Sequence, residues 1–288
     1  MKPFIEAGLT KIGDHTKIKC IKQVSGGDIN EAYYVQTEAK QYFIKGNQQV
    51  PEHFFRVEAK GLSLIESTKT IHVPYVYYYD EPRNGEECLM ILDWIEGNQA
   101  DATSSLLGNQ LAQMHLHSNE QFGFEEDTFV GTLTQRNGYF DSWLTYYQNQ
   151  RLVPQFELAI SRGRMLKQRR ERLEKLISTL DKWMDKHPKA SLLHGDLWGG
   201  NYLTGANGNP YLIDPSVFYG DHAFEIAFTE LFGGFSSDFY HAYEEVFPLP
   251  RNYQEVKPIY QLYYLLVHLN IFGESYGPSV DRILARYT

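Results

Sequence analysis

The chain has 288 residues, 42% of them hydrophobic and 22% charged, with a formal charge of −9. That length allows one large domain or two lobes sharing a cleft, and the apolar content allows a sizeable core. The acidic balance argues against a nucleic-acid partner, two cysteines are too few for a disulfide framework or zinc site, and no apolar stretch reaches membrane-spanning length.

Other compositional features narrow the class further. The start, Met1-Lys2-Pro3-Phe4, leads into a polar mixed segment unlike a signal peptide, so the expectation is a cytoplasmic protein with no membrane partner. The ten histidines form no H-E-x-x-H pattern. Twenty-one tyrosines bring aromatics to 15%, which is read mostly as core and rim packing, although such rings also stack on sugars. The basic run at 162–172 is read as the solvated face of a helix.

In chain order, a short helix over the first dozen residues precedes three strand-like runs at 18–24, 31–37 and 41–45. Turn-like Ser25-Gly26-Gly27-Asp28 and Glu38-Ala39-Lys40 separate them, which makes an antiparallel meander. Gly26 and Gly27 allow backbone amides to approach phosphates, or they merely make a hairpin. Lys45 ends the apolar run Tyr42-Phe43-Ile44-Lys45, either as a solvated strand end or as a lysine that reaches nucleotide phosphates. A helix is expected from Pro51 to Ser67, with Phe54, Glu58, Leu62 and Ile65 near helical spacing. Glu58 then falls beside the inward stripe and needs a partner, for which Lys45 is the candidate.

Two further strands at 75–79 and 88–92 flank the Pro82-Arg83-Asn84-Gly85 turn. Asp93, Trp94 and Ile95 then break the pattern and mark a hinge whose backbone groups would meet an adenine edge. This puts a small, mainly β nucleotide-binding lobe at 1–95 and a larger, mainly helical catalytic and substrate lobe at 96–288. From Thr103 a helix carries Leu107, Leu111 and Met114 on one face. His115 and His117, two apart, cannot share a helix face as metal ligands. An ordered loop is expected over 122–138, helices over 140–152 and 156–186, and four more over 220–232, 236–247, 254–270 and 279–287. No internal repeat or low-complexity segment appears.

The chemistry concentrates in Leu192-Leu193-His194-Gly195-Asp196-Leu197-Trp198-Gly199-Gly200-Asn201 and in Tyr211-Leu212-Ile213-Asp214. Asp196 and Asn201 stand five residues apart, as in the kinase H-R-D-L-x-x-x-N loop. There the Asp orients the acceptor hydroxyl and the Asn holds magnesium. Asp214 lies where the second magnesium ligand belongs, and hard oxygen donors from separate segments suit Mg2+ together with ATP phosphates. A tight glycine turn with a capping Asp is the bland reading. The flanking strands, His-Gly and the downstream Asp favour phosphoryl transfer.

This order of elements resembles the protein-kinase-like fold, an α+β fold with two lobes. Gly195 in place of Arg, and Asp214-Pro215-Ser216 in place of Asp-Phe-Gly, resemble its small-molecule branch, the aminoglycoside and choline kinases. Over nearly the whole chain the pattern is similar to the fructosamine kinase (ketosamine-3-kinase) family. The residues carrying that likeness are 194–201, 213–221, Thr229-Glu230-Leu231-Phe232-Gly233-Gly234-Phe235, 131–135 and 262–270. The resemblance implies ATP-dependent phosphorylation of the sugar 3-hydroxyl of ketosamines, including glycated protein lysines. Asp196 would then be catalytic, Asn201 and Asp214 metal-binding, and Lys45 and Glu58 nucleotide-binding. Trp198, Asp221, His268 and Asn270 are the acceptor candidates. Trp198 is open to a core reading as well, and Asp221 with Glu225 to a capping one. Another alcohol kinase of this fold, of aminoglycoside or homoserine type, and a silent kinase-like binding module are the alternatives. The second is disfavoured by the presence of Lys45, Asp196, Asn201 and Asp214.

Overall fold

Val35, Tyr42 with Ile44, and Leu89 with Ile91 fall on one face of three neighbouring strands, and this alternation builds the first sheet. A computed structural model describes residues 2–24, 30–83, 85–185 and 187–288. The expectation for Gly26 and Gly27 therefore lies outside the described residues. The strands are β1 (Ile18–Val24), β2 (Glu31–Thr37), β3 (Gln41–Asn47), β4 (Val76–Tyr79) and β5 (Cys88–Asp93), in spatial order β1-β2-β3-β5-β4. All neighbours are antiparallel. Helix α1 (Lys2–Lys11) lays Ile5 and Leu9 on the apolar face. Each such aliphatic side chain, fully buried, contributes about 1.5–3 kcal/mol. Helix α2 (Phe54–Ser67) buries Phe54, Phe55, Leu62 and Ile65.

Beyond α3 (Thr103–Leu116), the loop expected at 122–138 is instead four short strands: β6 (Phe122–Phe124), β7 (Thr128–Val130), β8 (Leu133–Gln135) and β9 (Gly138–Phe140). At three residues each they are too short to show a period in sequence. β7 and β8 pair with each other, and β6 pairs with β9. Gly123 permits the second pairing: its φ is +103°, and a Cβ there would lie 1.9 Å from the Gly138 carbonyl oxygen.

The helical stretch that follows also breaks elsewhere than its periodicity predicts. α4 (Trp143–Tyr146), a π-helical turn (Tyr147–Leu152) and α5 (Val153–Ser161) run on without interruption through Pro154. Proline at the start of α5 costs little, because a first-turn N–H has no partner in that helix. The stop comes at Gly163 (φ +67°), where Gly163 N bonds Ile160 O (2.9 Å) and Arg164 N bonds Ala159 O (2.8 Å). That pair of bonds is a Schellman motif. α6 (Lys167–Ile177) comes next. The basic run is not merely a solvated face: Arg169 is buried and bonds both Glu274 and Asp281. Arg162 and Arg164 donate to the carbonyls of Asn270 and Leu269 in the last turn of the helix Tyr253–Phe272, where Leu269 O also accepts from Gly273 N (3.1 Å).

After β10 (Ser191–Leu193), the hairpin β11 (Tyr202–Thr204) and β12 (Pro210–Leu212) returns to the first sheet's unit. Leu212 N bonds His72 O (2.9 Å), and Thr103 Oγ1 donates to Gly208 O (2.8 Å). The two compact units are thus Met1–Leu107 with Asn201–Pro215, and Gly108–Gly200 with Ser216–Thr288. This differs from a division at residue 95, because residues 96–107 and 201–215 pack with the first unit. β13 (Phe218–Gly220) completes the second unit's sheet, in the order β10-β13-β6-β9. α7 (His222–Thr229), α8 (Ser237–Val246), α9 (Tyr253–Phe272) and α10 (Gly277–Tyr287) close the chain. Their aromatic core centres on Trp143, whose ring meets Tyr146, Tyr147, Phe224 and Tyr260. Its Nε1 donates to Tyr260 Oη (2.8 Å). No helix among the described residues is long and apolar enough to cross a membrane.

Two glycines separate backbone strain from steric exclusion. Gly13 has φ +80° but open space around a Cβ, so Gly13→Ala should cost only about 1–2 kcal/mol. Gly123→Ala adds the collision with Gly138 and should cost more, measured as the difference in urea midpoint between the two variants at constant m-value.

Candidate active site

In the first unit, Lys45 sits on β3 opposite Ala32 and Met90, only 3% exposed. A buried ammonium requires counter-charges, and it has two: Glu58 Oε1 at 2.6 Å and Asp214 Oδ1 at 2.5 Å. Burial alone would lower the Lys45 pKa, but the charges and hydrogen bonds of Asp214 and Glu58 overcome that and raise it, so the ammonium stays charged. Glu58 reaches Lys45 from α2, as its place beside the inward stripe predicts. Asp214 arrives from the open end of the β11–β12 hairpin, with φ +56°, a conformation that Asp tolerates better than most residues. Ile213 N donates to Asn201 O (3.1 Å), so the strand register brings the Asn201 and Asp214 segments side by side. Their oxygens, with the Asp214 side chain 40% exposed, fit a magnesium ion that takes few protein ligands and completes its shell with phosphates and water.

In the second unit, Asp196 follows β10 in a loop pinned from below. Glu225 on α7, with no exposed surface, accepts from His194 N (2.9 Å) and Gly195 N (2.6 Å) and pairs with His115 Nε2 (2.8 Å). Burial would raise the Glu225 carboxyl, yet His115, His194 and the Gly195 amide hold it below its ordinary value. Tyr264 Oη on α9 donates to Gly195 O (3.0 Å), and Ser216 N donates to His194 O (2.8 Å). Gly195 has φ +86°, and a Cβ there would stand 2.0 Å from Ser216 O. No side chain fits, which is the physical reason an arginine is absent. Neither Glu225 nor Tyr264 as a brace is visible from spacing; Glu225 was legible only as a first-turn acid of α7.

The remaining expected residues divide. Trp198 is 42% exposed, with its ring lying over Gly200, so it is a surface ring and not a core one. Asp221 is buried: it caps α7 through Ala223 N (3.0 Å) and accepts from Tyr260 Oη (2.6 Å). The capping alternative is therefore what forms, and burial pushes this carboxyl up. Asn270 has no exposed surface and holds Gln155 O and Oε1 at 2.9 Å, which places it in the interior and not at a ligand surface. His268 is half-buried on α9. Asp93 is the last residue of β5: its N–H donates to Tyr75 O (3.0 Å), and its carboxylate accepts from Tyr77 Oη (2.7 Å). Trp94 packs edge-on against Tyr34 (4.7 Å) and donates to Glu96. Ile95 makes no backbone hydrogen bond among the described residues.

Phosphoryl transfer asks for a cation on the phosphates, hard oxygens for a metal and a carboxylate for the acceptor hydroxyl. This chain carries them in the order used by the kinase-like fold, and the protein is a phosphotransferase of that class. More particularly, it belongs to the fructosamine kinase family, whose profile matches residues 2–288. It is 40% identical over 265 residues to a probable ketoamine kinase of Enterococcus faecium, covering 92% of this chain and 94% of that one. It is 41% identical over 274 residues to one of Lactiplantibacillus plantarum, covering 94% and 95%. A crystal structure assigned as a fructosamine-3-kinase of Thermobifida fusca superposes with a TM-score of 0.87 at 27% identity, covering 98% of both chains. A thermostable mutant of the aminoglycoside phosphotransferase APH(4)-Ia, at 16% identity and a TM-score of 0.65, shares the fold.

Two measurements probe this geometry. Lys45→Met and Glu58→Gln should be strongly non-additive in nucleotide affinity, as a double-mutant cycle reports for groups in contact. Glu225→Gln should destabilise the protein at pH 7 by about 1–3 kcal/mol. A carboxyl depressed in the folded state contributes stability that is complete above its unfolded value and lost as pH falls through its folded value. Below the ordinary 4.5, wild-type melting temperature should therefore fall more steeply with pH than that of Glu225→Gln.

Proposed function

We propose that the protein transfers the γ-phosphoryl group of ATP to the sugar 3-hydroxyl of ketosamines, the fructosamine or ribulosamine adducts of amines and protein lysines. The observation that carries the nucleotide half is the buried Lys45 ammonium, held between Glu58 and Asp214. The acceptor half is supported by the family membership and by the names of the relatives. A cytoplasmic location accords with small-molecule ketosamines and glycated lysines as acceptors.

Lys45 neutralises the α- and β-phosphates, and Glu58 keeps its ammonium aimed at them. Asp196 orients the 3-hydroxyl and takes its proton as the oxygen bonds to the γ-phosphorus. The bond from that phosphorus to the bridging oxygen breaks, and ADP leaves with the electron pair. Asn201 and Asp214 would hold magnesium, which when bound offsets phosphate charge. Because the transition state is loose, positioning and charge neutralisation supply most of the acceleration. The rigid support of Asp196 by Glu225 and Tyr264 serves that need.

Incubation with MgATP and a panel of ketosamines, aminoglycosides and homoserine tests the reading. Phosphorus NMR should place the new ester on O3 of the ketosamine, and an analogue lacking that hydroxyl should be a poor substrate. Turnover of aminoglycosides alone would assign the acceptor to the other branch of the fold. Asp196→Asn should bind nucleotide normally and lose roughly 10²–10⁴ in kcat. Asp214→Ala should fold and lose turnover, with wild-type activity in that variant excluding its metal role.

A further inference from the structure

Among the large apolar side chains exposed in the second unit are Phe232 (43% exposed) and Phe272 (51% exposed). Phe232 and Phe272 share a neighbour. The His268 ring stands 4.7 Å from Phe232, 5.0 Å from Tyr276 and 5.6 Å from Phe272. Phe272 and Tyr276 also meet each other at 6.1 Å. Exposed rings gathered around a half-buried imidazole are not explained by core packing, which would cover their faces.

The imidazole has a defined chemistry. His268 Nδ1 lies 2.8 Å from the Tyr264 carbonyl oxygen. A carbonyl only accepts, so Nδ1 carries the proton, and in the neutral ring Nε2 is then the acceptor. Burial also lowers the pKa of this histidine, which favours the neutral ring. An uncharged acceptor set among aromatic faces suits a cation that has an N–H to donate, since ring faces attract ammonium groups.

The cluster's position ties it to the reaction. Tyr264, one helical turn before His268 on α9, donates to Gly195 O, immediately before Asp196. The loop after Asp196 also touches this region, because the Cβ direction of Gly199 points to Gly234 Cα at 3.1 Å, two residues after Phe232. In a ketosamine the nitrogen is bonded to C1, two carbons from the carbon bearing the 3-hydroxyl. An acceptor presenting that hydroxyl to Asp196 must therefore carry its nitrogen close to the same loop.

We propose that Phe232, His268, Phe272 and Tyr276 form the subsite for the cationic nitrogen of the acceptor amine, with His268 Nε2 accepting its N–H. This rests on the reading of the protein as a ketosamine kinase and deepens it. The enzyme distinguishes an amine adduct from a neutral sugar at this cluster, and the exposed Phe232 and Phe272 leave the amine's substituent directed to solvent. A lysine side chain on a protein surface fits that arrangement.

The test compares two acceptors with the purified full-length chain and MgATP: the fructose adduct of butylamine, and the C1 butyl ether of fructose, which has the same chain without the charge. Wild type should show a KM for the amine adduct at least about tenfold below that for the ether. Phe232→Leu and Phe272→Leu keep apolar volume and remove the π face, and His268→Phe keeps a ring and removes the acceptor. Each should raise the KM for the amine adduct about 3- to 30-fold, the range of one cation–π or hydrogen-bond contact, and leave that for the ether within about twofold. Equal KM values for the two acceptors in wild type, or equal losses on both in the variants, would overturn the proposal while leaving the ketosamine reading intact. Phosphorylation of neither compound would defeat the ketosamine reading and this subsite with it.

Discussion

A lysine ammonium with almost no exposed surface cannot be left unpaired, and the architecture of the first unit answers that requirement. Lys45 is on a central strand, so its neighbours are fixed by sheet register. Its two counter-charges come from a helix and from a hairpin more than a hundred residues away in sequence. The hairpin's packing on His72 and Thr103 delivers Asp214 to that ammonium, and residues 201–215 accordingly belong with the first unit. Breaking such a pair by removing one partner leaves a buried charge uncompensated, at a cost of about 3–5 kcal/mol. In the proposed reaction the same arrangement would serve phosphate binding, because an ammonium held between carboxylates is already desolvated and aimed.

The second unit meets a complementary problem with a buried anion. Glu225 is satisfied by two loop amides and the His115 ring, so its charge is distributed over the backbone that carries Asp196. His115 is in turn bonded to Tyr243 Oη (2.6 Å), and His222 Nδ1 meets the same hydroxyl (2.9 Å). Burial pushes His222 down to about 3, so it stays neutral at this junction. A network of this kind holds a loop in one geometry only if every member finds its partner. Gly195 completes the fit, since the loop's close approach to Ser216 leaves no room for a side chain.

Arginines perform the corresponding work at the far end of α9. Arg162 and Arg164 satisfy carbonyls of its last turn, and Arg169 joins Glu274 and Asp281 across the start of α10. The guanidinium suits this role because it offers several donors in a fixed plane. By fixing the end of α9 and the turn that follows, these contacts hold His268, Phe272 and Tyr276 in relation to one another. Stability of the helix end and the geometry of the aromatic cluster thus have a common source.

What the sequence by itself determined was local chemistry. The meander, Lys45 at a strand and Glu58 on a helix were legible because they depend on period, glycine turns and short spacing. The Asn201 and Asp214 segments, set apart in the chain, meet through the bond from Ile213 N to Asn201 O, and most of the helices from residue 220 onward followed from apolar periodicity. The three-residue strands at 122–140 were not legible, since a period needs more residues to declare itself. The helix continues through Pro154 because proline falls in the first turn of α5, where its missing N–H costs little, and it stops instead at Gly163. Tertiary structure alone decided burial. Asp221, Asn270 and Arg169 carry polar side chains that a sequence places on the surface, and each is inside with a hydrogen-bond partner distant in the chain. Glu225 was identifiable as an acid in the first turn of a helix, but its bonds to His194 N and Gly195 N depend on a contact thirty residues away that no local pattern encodes. Covalent neighbours specify which groups are present and how they are spaced; which of them meet is set by the packing of elements far apart in the chain.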